Sequence, residues 1–357
     1  MKAETAALLA AIAERSAELV ARSGAIEEAG VLPDDVVAWM IEHNLFKLCV
    51  PKSLGGAELG IADLVRIYEA LAAIDGSLGW QAQIGSGGGY FVPSFPPEVA
   101  RRFFQEPHAV IAGSGYPGGT ARRVPGGYIV SGRWRYASGA QYATLFTANA
   151  ILEEGDGTAE GAPRIRAMAF LPHEVQVIHD WDAFGMRATS SWSIIAKEVF
   201  VPEERSFVVG QMLWDPGYPL YHLSFDLFAV ASIAAVCVGV ARSFFDAALE
   251  PDSTTGKAPS ENADEVFRSG RKKAESWRQL FFTAADQLEA ELMQGALDEA
   301  RCEHFTWMMQ QAAHRMRDLV LTAMPYLGIR GTRPSERVNR IIRDLLTACQ
   351  HVVMRSA

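Results

Sequence analysis

The chain has 357 residues, of which 49% are hydrophobic and 21% are charged, and its formal net charge at pH 7 is −9. A chain of this length and composition can bury a large core as an ordinary globular protein. The acidic balance argues against a nucleic-acid partner, because binding phosphate groups requires a basic surface.

Neither a membrane segment nor a metal site is expected. The longest apolar run, 227–240, is flanked by Asp226 and Arg242 and predicts a buried helix, because a membrane span needs about 18 or more apolar residues. The amino terminus leads directly into a charged amphipathic helix without a signal-peptide core. The four cysteines are scattered without CxxC or Cys/His spacing. We therefore expect a cytoplasmic protein with reduced thiols and no bound metal.

Helical periodicity dominates the first hundred residues. Apolar spacing predicts helices over 4–22 and 61–74, and prolines mark helix starts at Pro33 and at Pro96-Pro97, the latter helix running to Phe104. The glycine run at 85–89 weakens a helix by about 1 kcal/mol per glycine relative to alanine. It indicates either a loop or frayed helix end, or a helix thinned so that a bulky ligand can lie against its backbone.

The spacing of apolar residues changes from helical to strand-like between residues 108 and 207, where short strands alternate with turn residues. The Gly126-Gly127 pair separates two alternating segments and predicts a β-hairpin. Further strands are predicted over 143–152, 164–171, 175–178 and 192–201, with an acidic, glycine-rich connection at 153–163. About seven short strands are enough for a small barrel or sandwich.

The composition becomes helical again after Tyr218. The pattern predicts a long apolar helix over 220–249, a polar linker over 250–262, and helices over 263–294, 297–324 and 335–353. The fold class is therefore α+β, with no internal repeat. The predicted division is an N-terminal helical domain (1–107), a central β-domain (108–210) and a C-terminal helical bundle (211–357).

Several common catalytic motifs are missing from the sequence. It contains no P-loop, no GxSxG, no HExxH, and no GxGxxG after a strand. Of the eight histidines, only His351 lies in an informative place, near the end of an arginine-rich last helix. The neighbouring Arg343-Asp344 pair is compatible with a plain surface ion pair, which would contribute little to stability.

A resemblance rests on short motifs that occur in a characteristic order. They are Ala112-Gly-Ser114, Ser131-Gly-Arg-Trp-Arg-Tyr-Ala-Ser-Gly139, Gly185-Met-Arg-Ala-Thr-Ser-Ser191, Val199-Phe-Val-Pro202 and the ending Arg340-x-x-Arg343-Asp344-(x)6-His351. Together they resemble the acyl-CoA dehydrogenase fold, and most closely its reduced-flavin-dependent (group D) two-component monooxygenases. The resemblance covers nearly the whole chain. It implies that the β-domain is a small barrel or sandwich that forms one wall of a flavin site.

The resemblance also implies roles for individual residues. The implied cofactor contacts are Ser114, Trp134, Ser138, Thr189, Ser190, Ser191 and Arg343. The implied substrate pocket contains Trp80, Gln83 and Tyr90, and catalysis is assigned to His351 and Ser138. Hydroxyl groups suit the flavin edge because they can both donate and accept hydrogen bonds. Core packing is an alternative explanation for the aromatic residues, and a turn cap is an alternative for Ser138.

The implied function is that of the oxygenase component of a two-component flavin-dependent monooxygenase. A separate reductase would supply reduced FMN or FAD, which reacts with O2 through a C4a-hydroperoxyflavin. The substrate would be a small aromatic, polyketide-like or amine molecule. His351 would deprotonate this substrate or stabilise the flavin alkoxide. Because this fold usually assembles as a homotetramer, an oligomer is expected as well.

Two departures from the family patterns bear on the reaction. True acyl-CoA dehydrogenases carry a catalytic glutamate, whereas His351 stands roughly at its C-terminal position here. Without that carboxylate, proton abstraction from a thioester lacks its usual base, which favours the monooxygenase. The glycine run also replaces a histidine that many of the hydroxylases carry. The remaining alternatives are a dehydrogenase or oxidase of the same fold with bound FAD, and a member that binds without catalysis.

Overall fold

The computed structural model describes residues 2–153 and 164–355, so the predicted acidic connection lies outside the described residues apart from Glu153. An N-terminal group of helices precedes seven strands, and four further helices follow the strands. The first group is α1 (Ala3–Ala29), α2 (Asp34–Glu42), α3 (Ile61–Ile74), α4 (Gly76–Gly87) and α5 (Pro97–Phe104). The strands are β1 (Ile111–Val124), β2 (Gly127–Ala137), β3 (Leu145–Leu152), β4 (Ile165–Phe170), β5 (Gln176–Ile178), β6 (Trp192–Pro202) and β7 (Ser206–Phe207). The last group is α6 (Phe225–Leu249), α7 (Glu261–Met293), α8 (Glu299–Ala323) and α9 (Arg337–Ala348).

The strands form one mixed sheet in the order β5-β6-β2-β1-β3-β4-β7. The predicted hairpin is confirmed, since β1 pairs antiparallel with β2 across Gly126, which adopts a φ of 82°. The sheet bends around its own core: Trp134 of β2 meets Phe170 of β4 at 5.6 Å between ring centroids. The edge strands β5 and β7 do not pair with each other in the part of the chain described, so the sheet is bent but open. The predicted α+β class is confirmed.

The most apolar helix, α6, is the central element of the helical core. It is long and apolar enough to cross a membrane by composition alone, but 89% of its most apolar window is buried inside the fold. This confirms the prediction of a buried helix. The helix begins later than predicted, at Phe225, because Pro219–His222 form a 3₁₀ turn and Ser224 caps the first helical turn.

The glycine run lies at the end of α4 and continues into a 3₁₀ helix, Gly88–Ser94. A Cβ at Gly85 would lie 2.5 Å from the Phe46 ring, and one at Gly88 would lie 2.2 Å from Ile111. The run is therefore helical rather than a loop. At these two positions, the absence of a side chain makes room for the protein's own side chains rather than for a ligand.

The last helix is shorter than predicted. The segment α9 ends at Ala348, and a 3₁₀ turn, Val352–Met354, follows it. His351 therefore lies beyond the helix, as the residue that precedes this turn. Its backbone is extended, with φ −57° and ψ 139°, so the chain changes direction at the histidine.

Candidate active site

Three hydroxyl groups from two loops of the β-domain form a continuous hydrogen-bonded chain, which we call the hydroxyl relay (Ser138, Ser191 and Thr189). The indole N–H of Trp80 lies 3.0 Å from Ser138 Oγ, and Ser138 Oγ lies 2.7 Å from Ser191 Oγ. Ser191 Oγ is 2.6 Å from Thr189 Oγ1, which in turn donates to the carbonyl oxygen of Met186 at 2.8 Å.

The two ends of the hydroxyl relay fix its direction. An indole N–H only donates and a carbonyl oxygen only accepts. Thr189 therefore uses its proton on Met186, Ser191 donates to Thr189, and Ser138 donates to Ser191. Each hydroxyl oxygen accepts one bond within the relay and keeps one lone pair. The relay consequently offers a ligand hydrogen-bond acceptors and no free proton.

Backbone geometry brings the two loops together. Met186 and Ser190 adopt left-handed φ values of 53° and 45°, which are uncommon for residues other than glycine. The backbone N–H of Gly139 donates to the carbonyl oxygen of Thr189 at 3.0 Å. The side-chain amide of Gln81 on α4 donates to that same carbonyl. Strained residues in such positions persist where the surrounding structure holds them, commonly at functional sites.

The helix α4 forms the opposite wall of the site. Asp75 caps it, its Oδ1 accepting from the backbone N–H groups of Ser77 (2.9 Å) and Leu78 (3.2 Å). Helical spacing then places Trp80, Gln83 and Gly87 on one face of α4. Trp80 links this face to the hydroxyl relay through its indole N–H, so the helix cap also sets the position of the donor that starts the relay.

The imidazole of His351 lies next to Trp80, with 5.9 Å between their ring centroids. Burial, and to a lesser degree Arg355, lowers the pKa of His351 below its ordinary value. The imidazole is therefore neutral at pH 7. The backbone N–H of Val353 donates to His351 Nδ1 at 3.4 Å, which assigns the ring proton to Nε2. In this tautomer, the ring offers an N–H donor at Nε2.

A buried carboxyl group connects α9 to both walls of the site. Asp344 Oδ1 accepts from the backbone N–H of Met186 at 2.6 Å. A Cβ at Gly76, the first residue of α4, would lie 3.0 Å from Asp344 Oδ2. Burial raises the pKa of Asp344 to about 8, and the nearby carboxyls of Asp75 and Glu27 act in the same direction, while Met186 N–H and Arg340 oppose them. Burial likewise raises the pKa of Asp75.

The structure corrects two of the predicted cofactor contacts. Trp134 is fully buried in the core of the sheet, and its indole N–H donates to the carbonyl oxygen of Asn149 at 2.6 Å. Arg343 is engaged by the carboxylate of Glu27 (2.9 Å from Nη2) and by the side chain of Asn339 (2.8 Å from Nε). Neither side chain is free for a flavin. The surface ion pair considered for Arg343-Asp344 is also wrong, because Asp344 is buried and bonds to Met186.

Three other predicted site residues lie outside the hydroxyl relay. Tyr90 belongs to the aromatic core: its ring stacks on Phe228 at 5.1 Å, and its hydroxyl donates to a backbone carbonyl, so it does not line an open substrate pocket. Ser190 is buried and its hydroxyl meets Gln141. Ser114 is half-buried in β1, where the pairing with β3 shifts register.

Of the predicted residues, the structure brings together Trp80, Ser138, Thr189, Ser191 and His351. The sequence reasoning missed Asp75 and Gln81, and it named Asp344 only as part of a motif and of a surface ion pair; all three position these groups. The Asp75-Gly-Ser segment carried a helix-cap signal that could have identified the first of them. Across the described ranges, no three His, Cys, Asp or Glu side chains are grouped so that they could hold a metal ion.

Comparisons with known proteins bear on the family and the fold of the chain. Residues 2–96 match the family model described as acyl-CoA dehydrogenase, N-terminal domain. The chain is 28% identical to the pigment production hydroxylase of a Rhodococcus species, over 98% of this chain and 91% of that protein. It is 30% identical to HsaA, the oxygenase subunit of a flavin-dependent monooxygenase from Rhodococcus jostii, over 79% of this chain and 75% of that protein. The solved structure of XiaF from a Streptomyces species, in complex with FADH2 and glycerol, superimposes with a TM-score of 0.86 at 21% identity and covers 98% of this chain and 92% of that chain.

The raised pKa of Asp344 predicts how stability depends on pH. An unfolded aspartate titrates near pH 4, so between that pH and about pH 8 the folded protein binds more protons than the unfolded chain. The free energy of unfolding therefore falls as the pH rises through this interval, by up to about 1.4 kcal/mol per pH unit for one proton. Asp344→Asn removes the titration and keeps an oxygen that can accept from Met186, so we expect a flatter dependence.

Urea unfolding across this pH range measures the effect. Asp286→Asn is the matched control, because Asp286 is exposed and pairs with Arg66 on the surface. The control should keep the wild-type slope. An unchanged slope in Asp344→Asn would show that Asp344 does not retain its proton in the folded protein.

Proposed function

Because the chain belongs to the oxygenase components of flavin-dependent monooxygenases, which share the acyl-CoA dehydrogenase fold, we propose that it hydroxylates a small aromatic substrate. The chain is an oxidoreductase of the two-component type predicted from its sequence, and it depends on flavin. The name of an oxygenase subunit implies a separate reductase as the partner. The proposal extends this assignment to the substrate, the form of the flavin and the residues that act.

The hydroxyl relay is the observation that supports reduced flavin as the bound form. Reduced flavin carries a proton on N5, whereas N5 of oxidised flavin has only a lone pair. Each hydroxyl proton of the relay is already used in a hydrogen bond within the protein, whereas each hydroxyl oxygen retains a lone pair. The relay therefore fits an N–H donor better than an acceptor. Ser138 and Ser191 are 5% and 4% exposed, so the relay is almost completely shielded from water, as a site for a reactive flavin requires.

The bound flavin would supply the electrons and the site at which O2 is activated. Ser138, Ser191 and Thr189 would hold its polar edge, and the backbone of the left-handed loop would support its ring. Trp80 and the surrounding apolar side chains would exclude water, which protects reactive species in such sites. FADH2 is present in the similar XiaF complex, and we propose reduced FAD or FMN as the cofactor here.

His351 is proposed as the acid–base group. Its imidazole lies beside Trp80, within the same site as the hydroxyl relay. The lowered pKa of His351 keeps the ring neutral, so its Nε2–H can donate a hydrogen bond. Transfer of an electrophilic oxygen atom to an electron-rich ring would leave negative charge on the oxygen that stays with the cofactor, and a donor at this position would stabilise that charge.

We also propose that the protein is cytoplasmic and works as a homo-oligomer, such as a tetramer. Large apolar side chains on the surface of the C-terminal bundle support an assembly through that region. They are Leu280, Met293, Trp307, Leu321 and Ile329, each at least 39% exposed.

Reconstitution with a flavin reductase tests the proposed function. The purified protein should be nearly colourless, and it should hydroxylate phenols only when a reductase and FAD or FMN are added. With isotope-labelled O2, the product should carry one labelled oxygen atom. A yellow protein with tightly bound FAD that dehydrogenates an acyl thioester without a reductase would contradict the proposal and would support the dehydrogenase alternative.

Substitution of His351 tests the acid–base role. We expect His351→Ala to lower kcat for hydroxylation by about 10²- to 10⁴-fold, which is the usual size of an acid–base contribution. Reduced-flavin binding should stay near the wild-type affinity, because the hydroxyl relay is intact. His351→Gln should recover part of the loss, since its amide N–H can replace Nε2–H. Unchanged turnover in His351→Ala would remove the histidine from the mechanism.

A further inference from the structure

The face of α4 that carries Trp80 also presents an unpaired polar atom. Gln83 lies one turn after Trp80 and is 4% exposed. Its Oε1 has no hydrogen-bond partner among the described residues. Buried side-chain oxygens are nearly always paired in folded proteins, because an unpaired buried acceptor is costly. The exception at Gln83 therefore suggests a ligand that supplies the missing donor.

Gly87 lies next to this amide. A Cβ at Gly87 would meet nothing closer than the Phe228 ring at 3.7 Å and Gln83 Nε2 at 3.9 Å. Gly85 and Gly88 differ, because protein atoms fill the space a Cβ would need there. Gly87 is thus not required by the packing of the protein's own atoms. A Cβ there would make ordinary van der Waals contact with both side chains, so Gln83 and Phe228 lie against the same part of the α4 backbone.

The helix α6 supplies the facing wall and runs antiparallel to α4. At one end, Phe228 lies against Gly87, as described above. At the other end, Cys237 meets Cys349 with 3.8 Å between the sulfur atoms. Cys349 precedes His351 by two residues, and the His351 ring lies against Trp80. Moving from Phe228 towards Cys237 along α6 therefore corresponds to moving from Gly87 towards Trp80 along α4.

A second unpaired polar atom lies on this stretch of α6. Ser232 follows Phe228 by one helical turn, which places both on the same face of α6. It is fully buried, and its Oγ likewise lacks a partner in the described part of the chain. Its position between Phe228 and Cys237 corresponds to that of Gln83 between Gly87 and Trp80. Helical spacing therefore places one unpaired polar atom on each of the two helices, at corresponding positions along them.

We propose that Gln83 and Ser232 form a recognition pair for a hydroxyl group on the substrate. Gln83 Oε1 would accept the hydroxyl proton, and the Ser232 hydroxyl would donate to the substrate oxygen. The ring that carries this hydroxyl would lie between α4 and α6, beside Phe228. The pair determines specificity and takes no part in the chemical step. The inference rests on the proposed function, since it identifies the kind of substrate that this active site selects.

Binding to the flavin-free protein tests the pair separately from catalysis. Calorimetry would compare three pairs of probes that differ by one hydroxyl: 4-cresol and toluene, 5-hydroxyindole and indole, and 2-naphthol and naphthalene. For at least one pair, the wild type should favour the hydroxylated probe by about tenfold or more, the equivalent of about 1.4 kcal/mol. Gln83→Leu and Ser232→Ala should each reduce that preference to within about twofold of unity, because the probe hydroxyl would lose a partner on burial.

Thr5→Val is the matched control, because Thr5 Oγ1 on α1 is another buried hydroxyl without a partner among the described residues. This control should keep the wild-type preference. Thermal unfolding of Gln83→Leu, and of the flexible isostere Gln83→Met, would show whether these variants are folded. Gln83→Met should lose the preference in the same way as Gln83→Leu.

Two results would overturn the recognition pair. One is a wild-type protein with no preference within any pair of probes. The other is full retention of the preference in either Ser232→Ala or a folded Gln83 variant. A preference that depends on Gln83, combined with no hydroxylated product in the presence of a reductase, would contradict the proposed function and leave the recognition pair standing.

Discussion

The buried carboxyl group of Asp344 is the contact on which the site geometry depends. It lies where α9, the first residue of α4 and the loop at 185–191 meet, and it accepts from Met186 N–H. The approach is close enough that Gly185 has no room for a side chain, since a Cβ there would lie 2.1 Å from the Arg343 carbonyl oxygen. Because the hydroxyl relay ends on the carbonyl oxygen of Met186, Asp344 holds the residue that anchors the relay.

The fixed direction of the hydrogen bonds in the relay gives the site a preference for ligands that donate hydrogen bonds. Its first donor is an indole N–H on α4 and its last acceptor is a backbone carbonyl, so neither end can reverse. If both ends of the relay were hydroxyl groups, the direction of its hydrogen bonds could reverse. Such a relay could bind either a donor or an acceptor. Here, the lone pairs left over suit a ligand that donates, which matches a protein that receives its flavin already reduced. The proposed flavin site would thus favour the reduced cofactor before any chemistry occurs.

Much of the architecture could be predicted from local sequence patterns. The helix at 61–74 and the hairpin at Gly126 follow from the spacing of apolar residues and from turn chemistry, which act over short distances.

The roles of Ser138, Thr189 and Ser191 came from the resemblance rather than from the spacing of apolar residues. Period could not reveal that these three hydroxyls bond to one another, because Ser138 and Ser191 are 53 residues apart. The cofactor role of Trp134 also came from the resemblance, and alternation could not correct it, because on a bent sheet alternation does not show which face lies inside the bend. The hydrogen-bond partner of Asp344, Met186, is 158 residues away, and a buried carboxyl cannot be distinguished from a surface one by its neighbours in the sequence.

The central claim is that the hydroxyl relay binds flavin through acceptors. Equilibrium binding of reduced and oxidised FAD, measured under anaerobic conditions, tests it most directly. The account predicts that the wild type binds reduced FAD more tightly by about tenfold, the equivalent of about one to two hydrogen bonds. The double substitution Ser138→Ala with Ser191→Ala should remove most of that difference. Equal or tighter binding of oxidised FAD by the wild type would contradict the account.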